Sequence, residues 1–366
     1  MRSSLPILCG KSLISQRRAL NMPTLRENLK QLSEAVGVSG EEREVRQLVL
    51  SLVKDHLSDA VTDAMGNLTG RLKSSAPTGV RVLIGAPMDE VGLMVTGSNG
   101  FLNVLPVGRL DMRYLAAARV LVGAEKANGV LLFAPIHKSY GQNDLPSADS
   151  LLIDVGASGK GGAKVGDRVA FAGSYAELGA DVVRGKALHS RAACAVLIAL
   201  IESLSESPLP LDIHVAFTAQ SRVYGRGALV AANRVKPQAA FLLDGADCDD
   251  LPRLPDDSRL PMVRLGGGTA LRVAEGIGVP NRPLLEHVRA VARQHSLPHQ
   301  MDTSEAYGTE NALVSQTQAG VPTVTLSIPV RYLHSPNGLV SLTDLEHTQR
   351  LLRESLAALT PDLLEN

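Results

Sequence analysis

Apolar residues near the start of the chain recur at helical spacing. Residues 24–36 and 41–56 place apolar side chains three and four positions apart, which predicts two amphipathic helices. The turn Gly37-Val-Ser-Gly40 separates them, and the second helix opens with Glu-Glu-Arg-Glu, acidic residues that suit a helix N-terminus. Shorter apolar runs follow and predict strands near residues 60–63, 67–71 and 80–85.

Between residues 93 and 183 helical spacing almost disappears. Short β-rich runs, among them LNVLPV, RVLVGA, GVLLFA and DRVAFA, alternate with Gly, Pro, Asn and Asp turns. This pattern is typical of a small β-barrel or sandwich. We therefore predict that residues 93–183 form an inserted domain, and that residues 22–92 and 184–366 together form the main domain.

Helices and strands alternate again after residue 183. A helix in RAACAVLIALIESL precedes the strand LDIHVAF, and further strands are predicted at AAFLLD, 299–303 and VPTVTLS. Such alternation indicates a mostly parallel sheet covered by helices. The predicted fold class is α/β, a three-layer α/β/α domain with a mixed, mostly parallel sheet, plus the β-rich insert. The remaining predicted helices lie near residues 226–235, 283–295, 310–319 and 342–359.

Composition narrows the classes of partner. The chain has 366 residues, 45% of them hydrophobic, which is enough for a large core and for two domains. Lys and Arg total 37 and so do Asp and Glu, and no basic stripe predicts nucleic acid binding. No apolar run is expected to reach membrane-spanning length. The three cysteines lie far apart without a CxxC pair, which favours a reducing, cytoplasmic location.

The first 21 residues differ from the rest of the chain. They contain four basic residues and no acidic one, a composition that targeting segments share. However, MPTLRENLKQL, from Met22 onwards, already resembles a native start. We expect residues 1–21 to be a disordered or extraneous extension, with a targeting segment as the alternative.

Polar side chains that could bind a metal or move a proton collect where predicted strands end. Taken alone, an aspartate after a strand is more often a cap or turn residue. Together, His and carboxylate groups at several strand ends suggest a site for a hard or borderline metal ion. The stretches concerned are Met88-Asp89-Glu90, Leu188-His189-Ser190-Arg191, Gln220-Ser221-Arg222, Leu243-Asp244-Gly245 and Arg331-Tyr332-Leu333-His334-Ser335.

Several phrases of the sequence are distinctive in order and spacing. They are SEAVGVSGEEREVR, a GNL in the first strand pair, LLIDVGAS followed by VGDRVAF, VRGKALHSRAACAV, and IPVRYLHSP before the last helix. From about Met22 to its C-terminus the chain resembles the dinuclear metal aminopeptidases that include glutamyl aminopeptidase and the tetrahedral (TET) aminopeptidases. The resemblance implies a zinc-peptidase-like α/β/α domain, with the β-rich insert serving dimerisation and oligomerisation.

The resemblance also implies a two-metal catalyst, and this chain departs from its ligand pattern. In the family, two divalent ions share a bridging carboxylate and activate a water, and a Glu acts as general base. The family's metal-binding His in His-Met-Asp-Glu is Pro87 here, while Asp89, which supports the site, is kept. The bridging Asp is replaced by His189, and an imidazole cannot readily bridge two ions.

The family's Gln-Glu-Glu is also changed. Ser221 stands at the position of the general base and has no useful pKa for that role. Arg222 places a permanent cation where a metal-binding carboxylate is expected. Asp244 and His334 remain as matching ligands. The resemblance therefore implies an altered or vestigial metal site made of His189, Arg222, Asp244 and His334.

Three interpretations of these residues stay open. In the first, the site is inactive and Arg222 pairs with Asp244, so that no buried carboxylate lacks a cation. In the second, His189, Asp244 and His334 bind one zinc ion, a plausible ligand set that lacks an obvious base unless Asp89 or Glu90 moves in. In the third, Ser221 is a nucleophile, although QSRVYG lacks the glycine-flanked elbow of serine hydrolases.

Three other polar or glycine-rich stretches have simpler explanations. The glycines of Leu265–Thr269 precede a strand and make a poor phosphate cradle. The triplet Gly308-Thr309-Glu310 resembles the family's Gly-Thr-Asp and is expected to cap a helix and shape the pocket floor. An acidic loop after Asp244 is expected to be solvated; it contains Asp247, Asp249, Asp250, Asp256 and Asp257.

The sequence as a whole predicts an inactive homologue of the family. We expect a structural, regulatory or peptide-binding role, with no cofactor; the alternative is a metal-dependent aminopeptidase with one zinc or other divalent ion held by His189, Asp244 and His334. The expected assembly is a homo-oligomer, as a dimer or as a dodecamer, or a hetero-assembly with an active paralogue. Peptides are the expected small partners, and neither nucleic acid nor membrane is expected.

Overall fold

The computed structural model describes residues 22–76, 78–133, 147–156, 162–252, 262–303, 308 and 310–364. Residues 1–21, the predicted extension, lie outside these ranges. Seven α-helices lie within them: α1 (Met22–Glu34), α2 (Arg43–Val53), α3 (Leu188–Glu206), α4 (Arg226–Val235), α5 (Arg282–Gln294), α6 (Asn311–Val314) and α7 (Leu342–Ala357).

Seventeen strands lie in the same described ranges. Those of the first half are β1 (Leu57–Thr62), β2 (Leu68–Leu72), β3 (Arg81–Pro87), β4 (Gly92–Ser98), β5 (Leu102–Val107), β6 (Arg119–Val122), β7 (Ala127–Leu131), β8 (Leu152–Asp154) and β9 (Arg168–Phe171). The others are β10 (Ala176–Leu178), β11 (Val182–Gly185), β12 (Asp212–Thr218), β13 (Ala239–Asp247), β14 (Thr269–Arg272), β15 (His299–Asp302), β16 (Thr323–Val330) and β17 (Gly338–Ser341).

An eight-stranded mixed sheet forms the centre of the main domain. Its strand order is β1-β2-β12-β3-β13-β16-β14-β15. The pairs β12–β3, β3–β13, β13–β16 and β14–β15 are parallel, and the other three pairs are antiparallel. The predicted α/β class with a mixed, mostly parallel sheet is confirmed.

Alternating side chains along the central strands cover both faces of this sheet. In β3, Val82 and Ile84 belong to the larger core cluster, whereas Leu83 faces the cluster formed with α4. In β13, Phe241 belongs to the larger core cluster and Leu242 faces the cluster formed with α4. Since successive residues of a strand point to opposite faces, a strand buried on both sides needs this continuous apolar run. The result is a three-layer α/β/α arrangement, with α3 in the larger core and α4 on the opposite face.

A second β structure is a closed barrel with strand order β4-β5-β8-β7-β6-β9. Its interior is lined by apolar residues such as Leu93, Leu102 and Ile153, which form their own core cluster. The barrel strands lie between Gly92 and Phe171, which confirms the predicted small barrel. The strands β10 and β11 instead pair with β17 in a separate three-stranded sheet.

The helix α3 corrects one expectation from the sequence. Among the described residues, Leu188–Glu206 is the one helix whose length and mean hydropathy would suffice to cross a membrane. Most of it is buried, and it packs against α1, α7 and the strands β3 and β13. Its apolar character therefore fits a core helix that is covered on several sides by protein.

The helix predicted near residues 310–319 is also shorter than expected. The helix α6 comprises four residues, Asn311–Val314. Turns follow it, and Gln318 and Gly320 have φ angles of 56° and 106°. Such positive angles are incompatible with a right-handed helix, so the pattern of apolar residues here does not continue as one.

Candidate functional site

The carboxyl ends of four parallel strands meet at one edge of the large sheet. The strands β12, β3, β13 and β16 are neighbours and run in the same direction. Asp89 follows β3, Arg222 follows β12, Asp244 lies in the second half of β13, and His334 follows β16. His189 joins them from the first turn of α3. This is the edge at which α/β proteins usually bind ligands.

The Arg222 guanidinium is the central charge of this site. Its Nη2 atom donates to both carboxylate oxygens of Asp244, at 3.0 and 3.1 Å, and to the Ser221 hydroxyl at 3.0 Å. The side chains of Arg222 and Asp244 are only 12% and 9% exposed. The pairing of Arg222 with Asp244 expected from the sequence is present, and a permanent cation already engages both oxygens of this carboxylate.

Asp89 holds the backbone at Arg222. It is fully buried, and its Oδ2 accepts hydrogen bonds from the Ser39 hydroxyl at 2.5 Å and from the Arg222 N–H at 2.7 Å. Its Oδ1 lies 4.0 Å from Arg222 Nε. Burial raises the pKa of Asp89, and the Arg222 charge opposes that shift. Asp89 therefore acts on the Arg222 segment through both its backbone and its charge.

His189 and His334 contact each other edge to face. Their ring centroids are 5.0 Å apart and their planes are at 90°. Burial and the nearby Arg222 charge lower the pKa of His189 well below its usual range and that of His334 to about 3. Both imidazoles are therefore neutral at pH 7. Nε2 of His189 is buried and has no hydrogen-bond partner among the residues that the structure describes.

Glu310 belongs to this site, and the sequence predicts for its triplet a helix cap and a place at the pocket floor. It occupies the cap position before α6, but its side chain makes no capping hydrogen bond. Instead Oε1 accepts a hydrogen bond of 2.7 Å from the Thr218 hydroxyl, and burial raises the pKa of Glu310 to about 8. Its charge environment includes Asp244 and Arg222. Glutamate is not among the preferred capping residues, and that is the signal that could have identified it. Thr309 lies outside the described residues.

Two further buried side chains hold the loop of Ser221 and Arg222, and sequence reasoning missed both. Asn67 Oδ1 accepts from the Ala219 N–H at 2.9 Å, and Glu42 Oε1 accepts from the Gln220 N–H at 3.0 Å. Glu42 lies in the acidic stretch expected to favour the start of α2, yet its side chain makes no capping hydrogen bond there. Its carboxylate instead accepts the hydrogen bond from the loop at Gln220. Such a long-range contact leaves no local pattern in the sequence.

Pro87 has a structural position at the end of β3. It pairs with Thr218 of β12, and its carbonyl accepts a hydrogen bond of 3.1 Å from the Cys194 thiol. Burial raises the pKa of Cys194 to about 12, so this thiol is protonated and unreactive at neutral pH. The proline ring itself offers no atom that could bind a metal ion.

The other stretches considered in the sequence have structural roles where they are described. The N–H groups of Gly266 and Gly268 each donate to Asp344 in the first turn of α7, at 2.8 Å, so they are not available to a phosphate. In the acidic loop, Asp250 binds Arg331 through two hydrogen bonds of 2.7 Å. Asp256 and Asp257 lie outside the described residues.

Comparison with known proteins identifies the family. Residues 66–351 match the M42 glutamyl aminopeptidase family. The chain belongs to this family. It is 30% identical over 349 residues to the lysyl aminopeptidase of Pyrococcus furiosus, an alignment that covers 92% of this chain and 97% of that protein. The predicted family membership is therefore confirmed.

Two solved structures of TET aminopeptidases share the fold of this M42 chain. One, from a marine sediment Thaumarchaeota archaeon, superposes with a TM-score of 0.88 at 28% identity and covers 94% of this chain and 99% of that one. The other is the TET1 peptidase of Pyrococcus horikoshii, which superposes with a TM-score of 0.80 at 30% identity. That alignment covers 92% of this chain and 100% of the TET1 chain. The similarity extends over both the sheet domain and the barrel.

The donor set of this M42 chain does not fit a two-metal centre. Pro87 offers no ligand atom, Arg222 brings a positive charge, and Asp244 is engaged by that charge. Within the described parts of the chain, no group of three His, Cys, Asp or Glu side chains comes together in a way that could hold a metal ion. The residues at this edge of the sheet instead form a network of ion pairs and hydrogen bonds around Arg222.

Proposed function

We propose that this chain is a catalytically inactive member of the M42 family, with a structural, regulatory or peptide-binding role and no metal cofactor. The observation that carries the proposal is the buried ion pair of Arg222 and Asp244, at 3.0 and 3.1 Å. A guanidinium at this place repels a divalent cation and occupies the carboxylate that would bind it. Metal-dependent peptide hydrolysis is therefore lost.

The absence of a general base at the family position supports the same conclusion. Ser221 accepts a hydrogen bond from Arg222, a group that cannot take up a proton from it. Asp89 is engaged by Ser39 and by the Arg222 backbone, and it is fully buried. Neither residue is arranged to remove a proton from a water molecule. The same contact disfavours Ser221 as a nucleophile, because its activation also needs a base.

A mononuclear aminopeptidase is the second candidate. The edge-to-face contact of His189 and His334 favours it, because two neutral imidazoles whose ring centroids are 5.0 Å apart resemble two ligands of one zinc ion. The third ligand would be Asp244, and both of its oxygens accept hydrogen bonds from Arg222. Metal binding would require this ion pair to break, so we rank this candidate second.

The deciding experiment combines metal analysis with an activity assay on the wild-type protein. The protein is equilibrated with zinc or cobalt, loose ions are removed, and metal is quantified by mass spectrometry. Hydrolysis of lysyl and glutamyl p-nitroanilides is measured in parallel, with the Pyrococcus furiosus lysyl aminopeptidase as the active control. We expect neither bound metal nor hydrolysis. About one ion per chain with measurable hydrolysis would support the mononuclear enzyme, and two ions would contradict the ligand assignment.

We also propose that the chain assembles as a homo-oligomer, either a dimer or a dodecamer. The similar TET1 peptidase of Pyrococcus horikoshii assembles into a tetrahedron or a large octahedral shell. The barrel of this chain carries exposed apolar side chains on or beside β5 and β7, which both pair with β8. They are Phe101, Leu105, Val130, Leu132 and Phe133. Native mass spectrometry measures the assembly, and co-expression with an active M42 paralogue tests the alternative of a hetero-assembly.

A cytoplasmic location is part of the same proposal. Cys194 and Cys248 are free and buried, as expected for a protein in a reducing compartment. Cell fractionation tests this location directly.

A further inference from the structure

The barrel directly contacts the loop that carries Arg222, residues 219–226, which we call the Arg222 loop. Gly108 follows β5 and has a φ angle of 83°. A Cβ at this position would lie 3.0 Å from Val91 Cγ1, 3.2 Å from the Arg222 Cβ and 3.3 Å from the Arg222 carbonyl oxygen. Both the backbone conformation and the close approach of the two segments therefore favour glycine here.

A second contact connects the barrel to the same loop through hydrogen bonds. Arg168, in β9, donates from Nε to the Ser39 carbonyl at 3.1 Å. The Ser39 hydroxyl donates to Asp89, and the same carboxylate oxygen accepts from the Arg222 N–H at 2.7 Å. Three hydrogen bonds thus connect β9 to the backbone of the Arg222 loop. The barrel supports this loop at two separate points, one by packing and one by hydrogen bonding.

The Arg222 loop has a conformation that needs such support. Gln220 and Tyr224 have φ angles of 54° and 70°, which are costly for residues other than glycine. Tyr224 is 91% exposed, so its own side chain contributes little to holding the backbone. Strained conformations of this kind persist only where the surrounding structure holds them, and the barrel is part of that structure.

The strand that ends next to Gly108 also carries part of the exposed apolar face of the barrel. Leu105, in β5, and Phe101, just before it, are each 39% exposed, whereas Leu102 and Val104 belong to the barrel core. Leu105 and Gly108 are three residues apart, about 10 Å of extended strand. A second copy packed on Leu105 would therefore restrain β5 close to the point where the barrel meets the Arg222 loop.

We propose that the barrel controls the order of the Arg222 loop. Its contacts at Gly108 and Ser39 hold the loop in its strained conformation, and association of two copies through the face that contains Leu105 strengthens this hold. The state of assembly and the local stability of the loop are thereby coupled. The inference rests on the proposed homo-oligomer, because a chain that does not associate has no such effect to transmit.

Amide hydrogen exchange of the full chain, read by mass spectrometry, measures the local stability of the loop. The N–H groups of Ala219, Gln220 and Arg222 donate to buried side chains, so opening of the loop exposes them to exchange. Native mass spectrometry on the same samples measures the assembly. Both measurements need only the metal-free protein and no ligand.

The first comparison changes the assembly at a distance from the loop. Leu105→Glu places a charge in the exposed apolar face and should dissociate the assembly, and exchange in residues 219–226 should become at least roughly 3-fold faster. Leu178→Glu is the matched control, since Leu178 is 48% exposed but lies in β10, outside the barrel. It should change neither the assembly nor the exchange of the loop.

The second comparison changes the contact and leaves the exposed face intact. Gly108→Ala adds a Cβ against Arg222 and should speed exchange in the loop at least roughly 3-fold in the assembled protein. Gly100→Ala is its control: Gly100 also belongs to the barrel and has a φ angle of 100°, but no atom of the described residues lies within 4 Å of a Cβ there. It should leave the loop unchanged. If Gly108→Ala is insoluble, Tyr224→Trp supplies a single tryptophan in a chain that has none, and its quenching by acrylamide should increase when Leu105→Glu is added.

Several results would overturn the inference, and they separate it from the proposed homo-oligomer. If Leu105→Glu dissociates the assembly without changing exchange in the loop, the coupling is absent and the homo-oligomer stands. The same holds if Leu105→Glu stays assembled, or if Gly108→Ala and Gly100→Ala affect the loop equally. A wild type that is monomeric at every concentration contradicts both proposals.

Discussion

A hydrogen bond of 2.9 Å joins the Ala219 N–H to the side-chain carbonyl of Asn67. The amide of the same side chain donates to the Gly227 carbonyl at 2.9 Å and to Asp63 at 2.7 Å, and Asn67 is fully buried. Asn67 therefore holds both ends of the loop that carries Arg222, at Ala219 and Gly227, next to the start of β2. The position of the charged site depends on a residue that takes no part in it.

Replacement of Asn67 by Ala should lower the free energy of unfolding by about 1–3 kcal/mol, because it leaves the Ala219 N–H without a partner and removes the hydrogen bonds of the amide to Asp63 and Gly227. Urea unfolding measures this change. Asn233→Ala is the matched control: its amide donates to the Leu229 carbonyl at 3.0 Å at an exposed position, and its loss should cost less than about 0.5 kcal/mol. Equal effects of the two substitutions would show that Asn67 does not hold the loop.

Replacement of Glu90 should also lower the free energy of unfolding strongly. In Glu90→Gln, Lys186 and Arg191 keep their charges but lose their carboxylate, so we expect a loss of about 3–5 kcal/mol in the free energy of unfolding. Glu44→Gln removes a pair with Lys126 whose side chains are each 43% exposed, and should cost less than about 1 kcal/mol. Chemical denaturation of both variants tests the difference. A Glu90→Gln protein as stable as Glu44→Gln would mean that the two buried cations find other partners.

The pH dependence of stability should contain a contribution from Glu310. Its pKa is about 8 in the folded protein, well above the ordinary value of 4.5, so the folded state holds this proton more tightly than the unfolded state does. The stabilisation is present in full below pH 4.5 and is lost as the pH rises through 8. Between pH 5 and pH 8 the wild type should therefore lose a few kcal/mol through this group, at about 1.4 kcal/mol per pKa unit.

Glu310→Gln resembles the protonated carboxyl and should lack this loss. Urea unfolding at several pH values should show that the free energy of unfolding of the variant increases relative to that of the wild type as the pH rises from 5 to 8. Glu286→Gln, an exposed change in α5, serves as the control and should follow the wild-type profile. Parallel profiles for the wild type and Glu310→Gln would show that Glu310 does not change its protonation over this range.

The sequence predicts the layers of the fold well because burial imposes a visible pattern. The runs VLIGAP and AAFLL are apolar at every position, as strands covered on both faces must be, and they lie in β3 and β13. The helix α4 was predicted at its observed bounds, residues 226–235. By contrast, α6 comprises four residues and is followed by turns in which Gln318 and Gly320 have positive φ angles, which an apolar spacing does not reveal.

The candidate site was predictable only in part. The pairing of Arg222 with Asp244 could be predicted from charge, since two buried opposite charges at the same edge of a sheet stabilise each other. The roles of Asn67 and Glu42 could not be predicted, because each contacts the loop that carries Arg222 from a position distant in sequence. Hydrogen bonds between distant segments leave no periodicity or local motif.

Restoration of the family residues should recover metal binding. The variant Pro87→His/His189→Asp/Ser221→Glu/Arg222→Glu supplies an imidazole, a bridging carboxylate, a general base and a second metal-binding carboxylate, and it removes the cation that repels metal. We expect it to bind two zinc or cobalt ions per chain and to hydrolyse aminoacyl p-nitroanilides. Metal analysis and initial rates measure both properties.

The triple variant that retains Ser221 separates binding from chemistry. It keeps every restored ligand but lacks the base, so it should bind the same two ions and hydrolyse the substrates at least roughly 100-fold more slowly than the quadruple variant. Its circular dichroism and unfolding transition control for misfolding. Because the sheet and the barrel superpose on TET peptidases with TM-scores of 0.80 to 0.88, a folded quadruple variant that binds no metal would show that these four positions alone do not determine metal binding.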